Sequence, residues 1–193
     1  MPKKAIVLLA EGFEEVEAIT PIDYLRRAGI DVTSAAIGEK LTVKGSHNIE
    51  ISADTRLKNL LEEGNLKSSV WDLVVVPGGL PGSDNLAASK ETGSFLKEMA
   101  SEGKLVAAIC SAPARVLFPL GLLDGKKFTC HPGQEANIGP SAMAGWKEDR
   151  VVVDGALITS RGPGTAAEFA CAIIDRLLGD NQGKIIAGKT LTA

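Results

Sequence analysis

Neither a disulfide framework nor a metal cage can be written from this sequence. Its cysteines number three, Cys110, Cys130 and Cys171. That odd count, without C-x-x-C spacing, disfavours both. Positive charge is not in excess: the formal net charge is −3, against the basic surface that nucleic acids select. No apolar run reaches membrane-spanning length. Residues 1–4 and the apolar stretch 5–10 have the order of a signal peptide. However, the stretch is short, and Glu11, Glu14 and Glu15 follow it with no cleavage-like site. The expected setting is cytoplasmic, with no nucleic-acid or membrane partner. Neither the G-x-G-x-x-G nor the P-loop pattern occurs, which excludes a nucleotide phosphate cradle. Internal repeats and low-complexity linkers are missing too. A chain of 193 residues, 45% apolar and 23% charged, fits one globular domain spanning 1–193.

What the chain does have is short apolar runs alternating with helical periodicity. Residues 5–9 read as a buried strand. Residues 14–27 read as a helix, with Val16, Ile19, Ile22 and Leu25 in near-helical spacing, Gly29 as the stop and Pro21 as a kink or break. Further strands are expected at 32–37, 72–76 and 105–109. Small hairpins are expected around 45–48 and across Asp154-Gly155. Helices are expected at 57–61, 92–102, 112–120 and 164–178, the last carrying Cys171 on its core side. This alternation predicts a mostly parallel sheet covered on both faces. Such sheets bind ligands at the carboxyl ends of their strands.

The candidates for chemistry fall at those ends. Cys110 closes the run Leu105-Val106-Ala107-Ala108-Ile109-Cys110, with Ala108 and Ala112 two residues either side. A strand turning sharply into a helix leaves room only for small side chains there, the pattern of a nucleophile elbow. The helix N-terminus that follows is expected to favour thiolate over thiol. Gly78-Gly79 ends another strand. It serves either as a tight turn or as a place where backbone N–H groups approach a reacting oxygen. Among Glu11, Glu14, Glu15 and Glu17, Glu11 and Glu14 read as solvated charge at a helix N-terminus. One member of the cluster pointing inward would have a raised pKa, and spacing does not choose which.

Several segments together resemble the ThiJ/PfpI superfamily and, within it, the DJ-1 clade. They are Gly12-Phe13-Glu14-Glu15-Val16-Glu17, Val75-Val76-Pro77-Gly78-Gly79, Ala107-Ala108-Ile109-Cys110, Thr129-Cys130-His131-Pro132 and Thr159-Ser160-Arg161-Gly162-Pro163-Gly164-Thr165. The resemblance implies an α/β, flavodoxin-like three-layer sandwich with a mostly parallel central sheet, and a homodimer. It also implies that Glu17 is the functional glutamate, Cys110 the nucleophile, and Gly79 and Ser111 the oxyanion amides. His131 matches a family histidine. Arg27 keeps a position associated with an anion-binding corner, where His47 replaces a frequent arginine. The peptidase-like branches carry histidine directly after the nucleophile, where this chain has Ser111, so their Cys–His dyad is unavailable. Gly45 and Ser52 stand where the clade has peripheral cysteines.

The function expected from these residues is a cysteine enzyme of glyoxalase or deglycase type. Its substrates would be small dicarbonyls such as methylglyoxal, or the adducts they form on proteins. Cys110 would attack, Gly78, Gly79, Ser111 and Arg27 would line the substrate and oxyanion positions, and Glu17 would move protons, with His131 a second proton carrier. No metal or organic cofactor is needed. Two alternatives remain open: a redox-sensing, chaperone-like protein acting through Cys110 oxidation, and a Cys–His hydrolase, peptidase or amidotransferase-like enzyme.

Overall fold

A computed structural model describes residues 2–192. In chain order its elements are β1 (Lys4–Leu9), α1 (Glu15–Arg27), β2 (Asp31–Ala36), β3 (Thr42–Lys44), β4 (Glu50–Ser52), β5 (Thr55–Arg56), α2 (Leu57–Glu62), β6 (Leu73–Val76), α3 (Gly82–Ala88), α4 (Lys90–Ser101), β7 (Leu105–Ile109), α5 (Pro140–Met143), β8 (Val151–Asp154), β9 (Leu157–Ser160), α6 (Ala166–Leu178) and α7 (Gln182–Thr190). Seven strands form one sheet in the order β5-β2-β1-β6-β7-β9-β8. All neighbours are parallel except β8 and β9, which pair antiparallel across a tight turn. The core order β2-β1-β6-β7-β9 is that of flavodoxin-like folds, and it reverses between β1 and β6. β3 and β4 form a separate hairpin.

The central strand β6 is wholly apolar. Leu73, Val74, Val75 and Val76 are all fully buried, the pattern of a central parallel strand. Alternate residues feed two layers. Ile6 and Leu8 of β1 pack with Leu86, Phe95, Leu96 and Met99 from α3 and α4. Ala5, Val7 and Leu9 pack with Ala18, Ile22, Leu25, Phe169, Ile173 and Ile174 from α1 and α6. Among the described residues, no helix is long and apolar enough to cross a membrane.

Four expectations are corrected. Pro21 does not break α1, which runs through it; proline only deprives the Glu17 carbonyl of its helical donor. Glu14 is not solvated: it is 8% exposed, and its carboxylate caps the helix by accepting the Glu17 N–H at 2.8 Å. Residues 112–120 form no α-helix. A π-helical turn, Pro113–Leu117, gives way to a 3-10 turn, Phe118–Leu120. Pro119 has no N–H with which to continue a regular ladder. Cys171 is half-buried rather than in the core. α7, which periodicity did not reveal, crosses its backbone so closely that a Cβ on Gly183 would overlap the Cys171 carbonyl.

Candidate active site

The loops that leave the carboxyl ends of β1, β6, β7 and β9 converge where the strand order reverses. Cys110 follows β7 directly. Its N–H donates to the Ser160 carbonyl at 2.9 Å, and its carbonyl accepts from the His131 N–H at 2.8 Å. Held at both ends, the residue adopts φ 65°, a left-handed conformation uncommon outside glycine. This is the sharp strand-to-helix turn expected of a nucleophile elbow.

Glu17 meets it from the first turn of α1. The side chain is fully buried, and Oε2 accepts the Gly78 N–H at 2.9 Å. Oε1 has no conventional hydrogen-bond partner, and the carboxyl lies within reach of the Cys110 thiol. Burial pushes the Glu17 carboxyl up to about 8. The charge on Glu14 adds to the rise, while the thiol and the Gly78 amide oppose it. Gly78 is the spacer between the pair. A Cβ there would sit 2.6 Å from the Cys110 Cβ and 2.7 Å from Glu17 Oε2. At Gly79, with φ 90°, a Cβ would run into the backbone of residues 12–14.

The expected low thiol pKa is reversed. Burial first, then the charge and hydrogen bond of Glu17, push Cys110 up to about 12, against the opposing pull of the Ser111 and Gly79 amides on the sulfur. A helix N-terminus is too weak to win in this desolvated place. A charged Glu17 repels a thiolate beside it. While Glu17 holds its proton, that repulsion is gone, so the thiol and carboxyl titrate as a pair.

His131 lies at the exposed rim. Its Nδ1 is 2.9 Å from the Pro132 carbonyl; a carbonyl only accepts, so Nδ1 donates to it. A Cβ on Gly162 would touch His131 Cδ2 at 3.5 Å and Glu17 Oε1 at 3.9 Å. Gly162 thus separates the imidazole from the carboxyl. Composition did not single it out, although it lies within the Ser160–Thr165 motif. Arg27 is not brought to this site. It ends α1, ten residues from Glu17 and so about 15 Å along the axis, where its Nε donates to Asp23 at 2.6 Å. Within the single chain it stands apart from the Cys110–Glu17 pair.

A second arrangement borders the first. Glu15, 6% exposed, accepts the His47 N–H at 2.7 Å and the Ile49 N–H at 3.4 Å, and meets His47 Nδ1 at 2.9 Å. It thereby closes the turn between β3 and β4. Gly45 is required there, because a side chain would overlap the Glu15 carboxylate. Glu14, Glu15 and His47 place ligand-type atoms within 4.8 Å of one another, but the Glu15 oxygens are already engaged by the turn. Neighbouring sequence similarity gave no signal for this latch, which depends on a hairpin folding back onto α1.

The DJ-1/PfpI family matches residues 3–176 of the chain. Protein dj-1beta of Drosophila melanogaster is 42% identical over 194 residues, covering 100% of this chain and 99% of its own. The crystal structure of that protein superposes with a TM-score of 0.90 over 100% of both chains. Protein DJ-1 homolog B of Arabidopsis thaliana is 40% identical over 96% of this chain, which spans 41% of that relative's length. A Caenorhabditis elegans protein named glutathione-independent glyoxalase DJR-1.2 is 36% identical over 93% of this chain and 91% of its own.

Proposed function

The chain belongs to the DJ-1/PfpI family, and from that premise we propose that it is a glutathione-independent glyoxalase, or deglycase, acting on methylglyoxal or its early protein adducts. The observation that carries the reading is the buried Glu17 carboxyl against the Cys110 thiol, with the Gly79 and Ser111 amides on the sulfur. The reactive form of the pair has shed one of its two protons. Glu17 takes the thiol proton as sulfur attacks the aldehyde carbon, and the alkoxide accepts that proton in turn. Gly79 and Ser111 steady the oxygen while it is charged. Glu17 then removes the hydrogen of the former aldehyde carbon and returns it to the neighbouring carbon, while the hydroxyl proton of the former aldehyde passes to the neighbouring oxygen. The product is a lactoyl thioester on Cys110. Water hydrolyses it, so methylglyoxal and one water become lactate with no external oxidant or reductant. In this reading His131, at the rim, is the second proton carrier that activates that water.

The deciding experiment is incubation of the purified protein with methylglyoxal in the absence of glutathione, with lactate as the readout. Lactate should form with wild type and not with Cys110→Ser. Lactate formation by Cys110→Ser at the wild-type rate would end the reading.

The redox alternative draws on the same pair. Two equivalents of peroxide would convert the thiol to sulfinic acid and release two waters; a protonated Glu17 could then donate to the new oxygen. A hydrolase reading has less support, because the nearby imidazole, His131, lies beyond Gly162. A homodimer is supported by exposed Val16 and Ile19 on one side of α1, next to Ile49 of the hairpin. Three free cysteines suit a reducing, cytoplasmic setting.

A further inference from the structure

Both amides that face the sulfur sit on turns rather than in regular structure. Gly79 lies in the loop after β6, and Ser111 lies in the turn after β7. One residue reaches both. Ser83, in the first turn of α3, is fully buried. Its N–H donates to the Gly79 carbonyl at 2.9 Å. Its hydroxyl pairs with the Ser111 hydroxyl at 2.8 Å, and Ser111 is itself only 3% exposed. The adjacent Gly82 N–H donates to the Gly12 carbonyl at 3.1 Å, tying the same turn to the loop that leads into α1. A second brace between these segments, Arg115 to Asp84 at 2.9 Å, is exposed to solvent, where ion pairs hold geometry poorly. The hydroxyl pair has no such competition from water.

We propose that Ser83 is a positioning residue, which sets the separation of the Gly79 and Ser111 amides through its hydrogen bond to the Ser111 hydroxyl. Ser83 touches neither the sulfur nor a reacting atom. Its effect is geometric: a group misplaced by about 1 Å can lose roughly 10²-fold in rate. The proposal also gives the serine after the nucleophile a use. Its amide serves the sulfur while its side chain is engaged by α3. The role rests on the dicarbonyl reading only for its kinetic consequence, since the same amides favour the Cys110 thiolate in the free protein.

Two variants and two readouts test it. Ser83→Ala should lower kcat for methylglyoxal roughly tenfold, a fraction of what losing an oxyanion donor outright costs, with KM little changed. The midpoint of the pH profile for Cys110 alkylation by iodoacetamide, followed by peptide mass spectrometry, should rise by about half a unit. The double variant Ser83→Ala/Ser111→Ala strands no hydroxyl, so its melting temperature should recover towards wild type. Its kcat and alkylation midpoint should stay displaced. A double variant with wild-type kcat and alkylation profile would show that the pair only packs, and the proposal would fail. If wild type forms no lactate, the dicarbonyl reading fails, and the alkylation midpoint alone decides on Ser83.

Discussion

Glu15 and Glu17 stand two residues apart in the first turn of α1, and both are shielded from water, at 6% and 0% exposure. Their surroundings drive them in opposite directions. Burial acts to raise Glu15, but the His47 imidazole and the amides of His47 and Ile49 outweigh it, so its pKa is lowered. Glu17 has one amide, from Gly78, and burial prevails. The comparison teaches that burial alone does not assign a carboxyl to chemistry or to structure. The number of donors that meet it does so. A satisfied carboxylate holds a turn, whereas an under-satisfied one keeps a proton that it can give away.

The largest expected effect separates the two by activity. Glu17→Gln should reduce lactate formation by roughly 10²–10⁴-fold, the usual worth of a general acid–base. Glu15→Gln should keep most of the rate and instead destabilise the β3–β4 hairpin. Weakening the acceptor of these part-buried N–H groups costs about 1 kcal/mol, readable in a denaturant midpoint. Equal losses of rate in the two variants would break the division.

Stability against pH sharpens it. The fold favours the protonated form of Glu17, so its contribution is complete below the ordinary value of 4.5 and is lost as pH rises through about 8. Glu15 behaves in reverse: its contribution is present above 4.5 and is lost as pH falls through its lowered pKa. Denaturant midpoints should therefore show Glu17→Gln gaining on wild type as pH rises from about 5 to 9. Over the same range Glu15→Gln should show no such gain. Wild-type kcat/KM should rise through pH of about 8 as the thiol–carboxyl pair sheds a proton.

The smallest effect concerns His47. Its pKa is raised by the hydrogen bond and charge of Glu15, so its contribution is present below the ordinary 6.5 and is lost as pH rises through the raised value. The side chain is 69% exposed, which keeps the contribution slight. His47→Ala should lower the melting temperature a little at mildly acidic pH and not at all in alkali, with activity nearly intact. A deficit independent of pH would assign His47 to packing rather than to charge.

The central strands and long helices were legible because apolar period and end signals agree, as in 72–76 and 14–27. α3 and α7 were not. α3 follows Gly78-Gly79 so closely that turn residues mask it, and α7 has little apolar periodicity of its own. The position of Cys110 was readable from small neighbours, and the choice of Glu17 came from family resemblance rather than spacing. A raised pKa was readable for whichever carboxyl turned inward, but the raised Cys110 thiol was not, because the desolvation that opposes its charge is made by loops from four strands. The Ser83–Ser111 contact spans 28 residues and carries no local pattern.

The left-handed backbone at Cys110 sets durability against usefulness. Such a conformation costs a non-glycine residue roughly 1–2 kcal/mol, and glycine adopts it without steric penalty. Cys110→Gly should therefore melt above Cys110→Ala, although both lack the thiol. Selection for robustness alone would erase the thiol at this position. In a lineage released from its chemistry, glycine at 110 would be the first sign that the scaffold had outlived the reaction.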